Sequence, residues 1–202
     1  MLQKVVCAAV VVLLLAQLAP AVTPTPAEMS TPKLGAMAFV RSMELDDMEA
    51  FRAVTIGGDE EYKLFQPLVD MVGAAKDLEK AAREKFGKAG RVVVRNSPAV
   101  GLEVQIQESQ IKVNGDTAVL TQPGQQDDPL TIRKTSAGWK VDLTAIKNRK
   151  KMSAAAGGMK RMQQALADSA ADIRAGKFKS PEEAEQAVLD RMQKAAASAS
   201  AR

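Results

Sequence analysis

The chain has 202 residues, one cysteine and no histidine, and its 28 basic and 24 acidic residues give a net charge of +4. This length fits one ordinary domain with additional segments, and 46% hydrophobic beside 26% charged residues is the balance of a globular protein, not of a disordered chain or a multi-span membrane protein. The absence of histidine excludes histidine general bases, Ser-His-Asp triads and ordinary histidine zinc sites.

The N-terminus has the pattern of a cleaved export signal. Lys4 precedes the apolar residues 5–18, and residues 19–21 then supply the small-x-small pattern that a signal peptidase accepts. As a helix, residues 5–18 would rise about 21 Å, which is less than the roughly 30 Å of hydrocarbon in a bilayer. A cleaved signal is therefore favoured over a transmembrane anchor.

Cleavage after Ala21 defines the expected mature chain. It predicts a signal peptide over residues 1–21, a flexible lead over residues 22–30, and an exported protein, periplasmic or extracellular, without a stable membrane span. A later cut after Ala27 remains open. The only cysteine, Cys7, lies within the signal, so the mature chain has neither a disulfide framework nor thiol chemistry.

Helical spacing of apolar residues predicts three helices in the first half of the chain. The first begins after Thr31, which precedes a proline, and the second begins at residue 46 or 47 with an aspartate cap. The third covers residues 59–86 and opens with three acidic residues. Pro67 predicts a kink or a restart within this third helix.

The apolar period then changes to two. Val100, Leu102, Val104 and Ile106 alternate with polar residues or glycine, which predicts a strand with one buried face. The Asn-Gly pair at residues 114–115 predicts a first hairpin, and residues 130–143 predict a second. Helices followed by an antiparallel meander predict an α+β domain over residues 31–146.

The remaining chain is predicted to be a basic linker, residues 147–158, followed by a helical hairpin, residues 159–202. From residue 145 onward the charges sum to 12 − 6 = +6, whereas residues 22–144 sum to 15 − 18 = −3. Opposite signs favour docking of the tail on its own domain or on another acidic surface. The basic run at residues 147–151 is interpreted as a solvated connector, and export argues against a nucleic-acid partner.

The order of elements resembles the nuclear-transport-factor-two-like superfamily, in particular small secreted bacterial members of the lumazine-binding-like kind. The resemblance rests on the predicted helices, on the sequence of residues 46–51, and on the structural motifs at residues 113–119 and 138–141. It covers residues 31–146 and leaves the tail outside. It implies a cone, in which N-terminal helices pack in a curved antiparallel sheet that can enclose a pocket.

Enzymes of this superfamily, such as ketosteroid isomerases and related dehydratases, place ionisable residues on the concave sheet face or on the helices above it. Here the strand face expected to line the cone carries none. Its residues are Leu102, Val104, Ile106, Ile111, Val113, Leu130, Ile132, Trp139, Val141 and Leu143. Tyr62 and Asp70, eight residues apart on one predicted helix, are the only candidate acid/base pair, and the favoured interpretation is a packed tyrosine beside a solvated carboxylate.

We therefore predict no catalytic residues, no cofactor and no metal site, since the acid pairs at residues 46–47 and 127–128 lack the spacing of a calcium loop. The predicted function is an exported, non-catalytic binding or scaffold protein for a small apolar ligand or a protein partner, and a homodimer stays open. The alternative is an isomerase or dehydratase using Tyr62 and a helix carboxylate. The candidate pocket residues are Tyr62, Val104, Ile132, Trp139 and Val141. Strand spacing of Trp139 also fits a core residue.

Overall fold

The computed structural model describes residues 24–95, 101–122 and 129–200. The predicted α+β architecture is confirmed: N-terminal helices pack against a five-stranded sheet, and a helical pair ends the chain. The predicted signal peptide lies outside the described residues. Within the described ranges, no helix is both long and apolar enough to cross a membrane.

Seven α-helices and five strands are present in the described residues, together with three short 3₁₀ segments. The helices are α1 (Pro32–Glu44), α2 (Met48–Ala53), α3 (Asp59–Phe86), α4 (Arg91–Val94), α5 (Leu102–Glu108), α6 (Arg149–Arg174) and α7 (Pro181–Ser200). The strands are β1 (Thr55–Ile56), β2 (Gln110–Asn114), β3 (Thr117–Thr121), β4 (Leu130–Thr135) and β5 (Gly138–Asp142). The 3₁₀ segments are Pro26–Met29, Gly87–Gly90 and Leu143–Ala145.

The strand order across the sheet is β1-β5-β4-β3-β2. The two predicted hairpins form the antiparallel part, and β1 adds to it by pairing parallel with β5, so the sheet is mixed. Helix α2 ends at Ala53, and the two-residue β1 follows it. Pairing of Thr55 with Val141 defines this strand, and such pairing is not visible in local sequence.

The strand predicted around residues 100–107 is wrong. Leu102–Glu108 form helix α5, and the backbone N–H of Gln105 donates to the carbonyl of Gly101 at 2.8 Å. Leu102 and Ile106 are four residues apart, so they share a helix face as readily as a strand face. Val104 consequently lies on the outer side of the helix and is 52% exposed, while Val100 lies outside the described residues.

The inward orientation predicted for Val113 is also wrong, because this side chain is 57% exposed and Ile111 is only half-buried. Both belong to β2, which lies at one edge of the sheet. Helix α1 packs instead over β4 and β5, which lie away from that edge. The predicted alternation does not bury the valine, because none of the helices in the described part of the chain packs extensively over β2.

A first hydrophobic core fills the space between the N-terminal helices and the sheet. Its aromatic centre is Phe51, whose ring centroid lies 5.4 Å from Phe39, 5.9 Å from Phe65 and 6.4 Å from Tyr62. Gly35 lets α1 approach β5 closely, because a Cβ at this position would collide with the carbonyl oxygen of Trp139. Helix and sheet are therefore in direct contact along this line.

Met29, just before α1, is part of this core, and the exposed residues around it form a turn. Pro26–Met29 form a 3₁₀ turn, and Met29 is buried. Gly138 accommodates it: the glycine has φ +111°, and a Cβ there would overlap Met29. The predicted flexibility of residues 22–30 is corrected for residues 26–29 because the methionine gains apolar burial, whereas residues 22–23 lie outside the described residues.

A second core lies between α3, α4, α6 and α7. Leu78, Leu166 and Ile173 are completely or almost completely buried in it. Helix α3 contributes to both cores, and Pro67 sits inside this 28-residue helix without ending it. The two cores are thus joined by one continuous element.

The predicted basic linker is helical, because α6 begins at Arg149 and continues through residues 150–158. This segment is rich in alanine and lysine, which favour helix, and its two glycines cost only about 1 kcal/mol each. The tail packs on its own domain along α3, one of the two outcomes that its charge favoured. Arg149 pairs with Glu61, and Arg174 contacts Asp77 through two hydrogen bonds of 2.8 and 2.5 Å.

Candidate functional site

Four of the five sequence-predicted pocket residues come together, but in packed space. Tyr62, Ile132, Trp139 and Val141 are all buried members of the first core. Ile132 and Val141 are directly paired across β4 and β5. Val104 is separated from them on the exposed side of α5. The tryptophan is a core residue, in line with its strand spacing.

Tyr62 and Asp70 do not form an acid/base pair. The guanidinium carbon of Arg52 lies 4.2 Å from the centroid of the Tyr62 ring, and the tyrosine hydroxyl is not among the buried polar atoms that lack a partner. Asp70 is half-buried and accepts a hydrogen bond of 2.6 Å from Gln66 Nε2. Among the described residues, no hydrogen bond joins the phenol to the carboxylate.

An apolar cavity of about 270 Å³ lies between α1, α3, α5 and the adjoining ends of β3 and β4. Nine of its ten lining residues are apolar and the tenth is an amide. The lining residues are Phe39, Val40, Met43, Leu68, Met71, Val72, Leu102, Ile106, Gln122 and Leu130. Six of the nine apolar residues are buried and the other three are half-buried, so the cavity is recessed in the helix-and-sheet packing and partly open to solvent.

Helical periodicity explains how this lining is assembled. Residues 39, 40 and 43 share one face of α1, residues 68, 71 and 72 share one face of α3, and residues 102 and 106 share one face of α5. The two methionines have flexible, polarisable side chains that adapt to irregular apolar surfaces. The three helices thus present apolar faces that do not fully interlock.

Among the described residues that line the apolar cavity, none is titratable. Gln122 is the one polar side chain of this described lining, and an amide can donate or accept a hydrogen bond but does not transfer protons at neutral pH. The described residues also contain no group of three or more acidic or thiol side chains arranged to hold a metal ion. The described lining can therefore contact an apolar molecule that carries one hydrogen-bonding group.

The acid pair at residues 46–47 has structural roles. Asp47 caps α2, accepting hydrogen bonds from the backbone N–H groups of Glu49 at 2.8 Å and Ala50 at 3.3 Å. Asp46 has φ +53°, and partial burial together with the nearby negative charge of Asp70 raises the pKa of its carboxyl. The other acid pair, residues 127–128, lies outside the described residues.

Most of the cavity was not predicted as a site. Leu102, Ile106 and Leu130 were expected to line the cone, but the other apolar residues of the cavity carried only the signal of helix core positions. Amphipathic spacing identifies which residues face inward. It does not show whether the inward-facing side chains fill the space between the helices.

A separate groove lies on the outer side of α1 and continues towards α5. Leu34, Leu45 and Val104 line it, and these are three of the four exposed large hydrophobic side chains among the described residues. Two of its cations are paired within it: Arg41 Nε lies 3.0 Å from Glu103, and Lys76 bridges two glutamates. The described lining holds four cations and four carboxylates in all. The groove therefore has apolar surface but no excess of either charge to select an occupant.

Comparison with protein-family models, with curated proteins and with solved structures finds no significant match.

Proposed function

We propose that this chain is an exported, non-catalytic binding protein whose apolar cavity holds a small apolar ligand. The observation that carries the proposal is the cavity itself: about 270 Å³, bounded by nine apolar side chains and one amide. An engineered cavity of about 150 Å³ lined by aliphatic and aromatic residues stays dry and binds benzene. The larger volume here accommodates a ligand somewhat bigger than a single ring.

The chemistry of the walls favours binding over catalysis. General acid/base catalysis needs a titratable group within hydrogen-bond reach of the reacting atoms. The described lining residues of the cavity include none. The candidate pair of the alternative isomerase or dehydratase interpretation, Tyr62 and Asp70, makes other contacts. An apolar ligand would replace empty or poorly hydrated space by van der Waals contacts, with Gln122 able to orient one polar group.

Export is proposed from the apolar N-terminal stretch and the small residues that follow it. The cone-type superfamily is proposed from the motifs at residues 113–119 and 138–141 together with helices packed against a sheet. A carrier or sensor of small apolar molecules fits both proposals. The ligand class follows from the cavity and not from the superfamily.

Binding is tested with N-phenyl-1-naphthylamine, a neutral apolar probe whose fluorescence rises in apolar surroundings. The variant Leu130→Trp enlarges a half-buried side chain at the edge of the cavity. The matched control Val113→Trp introduces the same side chain at an exposed position of the same sheet. All three proteins keep the same N-terminal stretch, so any probe bound there contributes equally.

We expect saturable binding to the wild-type chain and to Val113→Trp, and binding at least tenfold weaker to Leu130→Trp. The probe is excited directly, at a wavelength that tryptophan does not absorb. Equal affinity in all three proteins would place the probe elsewhere and would remove the support for the cavity as a ligand site.

A further inference from the structure

A second cavity, of about 510 Å³, opens between α3 and α6 and shares no residue with the apolar cavity. Its cationic side chains come from three helices: Arg52 from α2, Lys63 from α3 and Lys160 from α6. We refer to this cavity as the basic cleft. It exists only because the C-terminal helices pack on the domain, since α6 forms one of its walls.

The basic cleft has an excess of positive charge. Among the described lining residues, three cations accompany one carboxylate, that of Asp70, which already accepts the hydrogen bond from Gln66. A second carboxylate, that of Asp59, contacts Arg52 from outside the lining. Neither Lys63 nor Lys160 takes part in an ion pair within the part of the chain that the structure describes. Unpaired cations around one concave space raise the local concentration of anions.

Arg52 is held in place from two sides. Its guanidinium lies over the Tyr62 ring at 4.2 Å and 3.5 Å from the carboxylate of Asp59. Asp59 is highly exposed, so this second contact contributes little and is readily exchanged for another anion. The cation–π contact with the ring uses the face of the guanidinium carbon and not its N–H groups, which can therefore donate hydrogen bonds to an oxyanion.

Small residues keep the basic cleft open. Ala156 and Gly157 lie on the α6 wall, and a Cβ at residue 157 would have only the Arg161 guanidinium, 3.8 Å away, within contact distance. A longer side chain at residue 156 would occupy the space between the lysines. Pro67 lies on the opposite wall, in α3.

We propose that the basic cleft binds a small oxyanion carrying two negative charges, with Arg52, Lys63 and Lys160 as the binding cations and the amides of Gln66 and Gln163 at its sides. A phosphate group and a dicarboxylate share this chemistry. The site is independent of the proposed apolar ligand, because neither the residues nor the ligand class overlap.

The test is isothermal titration calorimetry of the full chain, with inorganic phosphate and, in a separate experiment, with succinate. Sodium chloride keeps the ionic strength constant. Lys63→Gln and Lys160→Gln each remove one binding cation. Lys112→Gln is the matched control, because it makes the same change of net charge on strand β2, outside the cleft. Ala156→Leu fills the cleft without changing the charge, and leucine is a good helix former.

We expect saturable binding of at least one of the two anions, about tenfold weaker in each cleft lysine variant and unchanged in Lys112→Gln. Ala156→Leu should abolish it while far-ultraviolet circular dichroism stays the same. The preferred probe identifies the source of the oxyanion. The proposal is overturned by the absence of saturable binding of both anions, by equal weakening in Lys112→Gln, or by full binding in a folded Ala156→Leu variant. Should Ala156→Leu fail to fold, the two lysine variants and their control decide the outcome.

Discussion

Leu166 provides a direct test of whether the C-terminal helices are part of the folded domain or an appendage. Its side chain is 1% exposed and lies in the second core, between α6 and α3. Leu166→Ala removes three buried carbon atoms, which at about 0.8 kcal/mol each amounts to about 2.4 kcal/mol of transfer free energy. The cavity left behind adds to this, so we expect a loss of about 3–4 kcal/mol in the free energy of unfolding.

The matched control is Leu45→Ala, whose side chain is 54% exposed. Because about half of this leucine already contacts solvent, its truncation should cost no more than about 1 kcal/mol. Both variants lose the same atoms, so the difference between them reports burial alone.

The assay is urea unfolding followed by the fluorescence of Trp139, the only tryptophan of the chain. This residue belongs to the first core, whereas Leu166 belongs to the second. Helix α3 joins the two cores, so we expect the tryptophan transition of Leu166→Ala to move to lower urea by the full amount. If that transition stays at its wild-type midpoint while circular dichroism shows earlier loss of helix, the tail unfolds by itself and is an appendage.

Four further outcomes are expected. Tyr62→Phe should change the free energy of unfolding by no more than about 1 kcal/mol in urea denaturation. The variant removes only the hydroxyl, and this group is not one of the buried polar atoms that lack a hydrogen-bond partner. Gly35→Ala should cost at least about 2 kcal/mol by the same measurement, because the added Cβ meets the β5 backbone. Asp46→Asn should stabilise the protein at pH 7 by up to about 0.5 kcal/mol, because the raised pKa of Asp46 means that the fold disfavours its ionised carboxylate. The gain in stability should vanish near pH 3, where the carboxyl is protonated. Hydrogen bonds from Arg174 lower the pKa of Asp77, so Arg174→Gln should destabilise the protein by up to about 1 kcal/mol at pH 7. The loss should be smaller at pH 2, because this contribution decreases as the pH falls through the folded-state pKa of Asp77; an equal loss at both values would contradict an ionic role.

Helix starts were predictable because their determinants are local. Thr31 accepts a hydrogen bond from the backbone N–H of Leu34 at 3.2 Å, and Asp47 caps α2 in the same way. Each cap needs only a side-chain oxygen a few residues before the N–H group that it binds. The Asn-Gly turn between β2 and β3 is local for the same reason.

Helix α5 and strand β1 were not predictable on the same basis. The spacing of Leu102 and Ile106 fits both a strand and a helix, and only the surrounding fold decides between them. Strand β1 consists of two residues whose extended conformation is defined by pairing with Val141 and Asp142. Both outcomes depend on partners distant in sequence.

The candidate sites show a similar division. The sequence indicated which residues of α1 and α3 are apolar and inward-facing, but the gap between them depends on how three helices pack. The basic cleft depends on α6 lying against α3, which brings Lys160 near Lys63 although 97 positions separate them in the sequence. The opposite charges of tail and domain pointed to this docking but not to its geometry.

The apolar cavity is tested most directly by identifying what it holds. Wild-type protein and Leu130→Trp, purified in parallel from the native host, are compared by native mass spectrometry and by organic extraction of the bound material. We expect a small apolar molecule bound to the wild-type protein, near one per chain, and strongly depleted in Leu130→Trp. Wild-type protein that carries no such molecule, or an equal load on both proteins, would contradict the account.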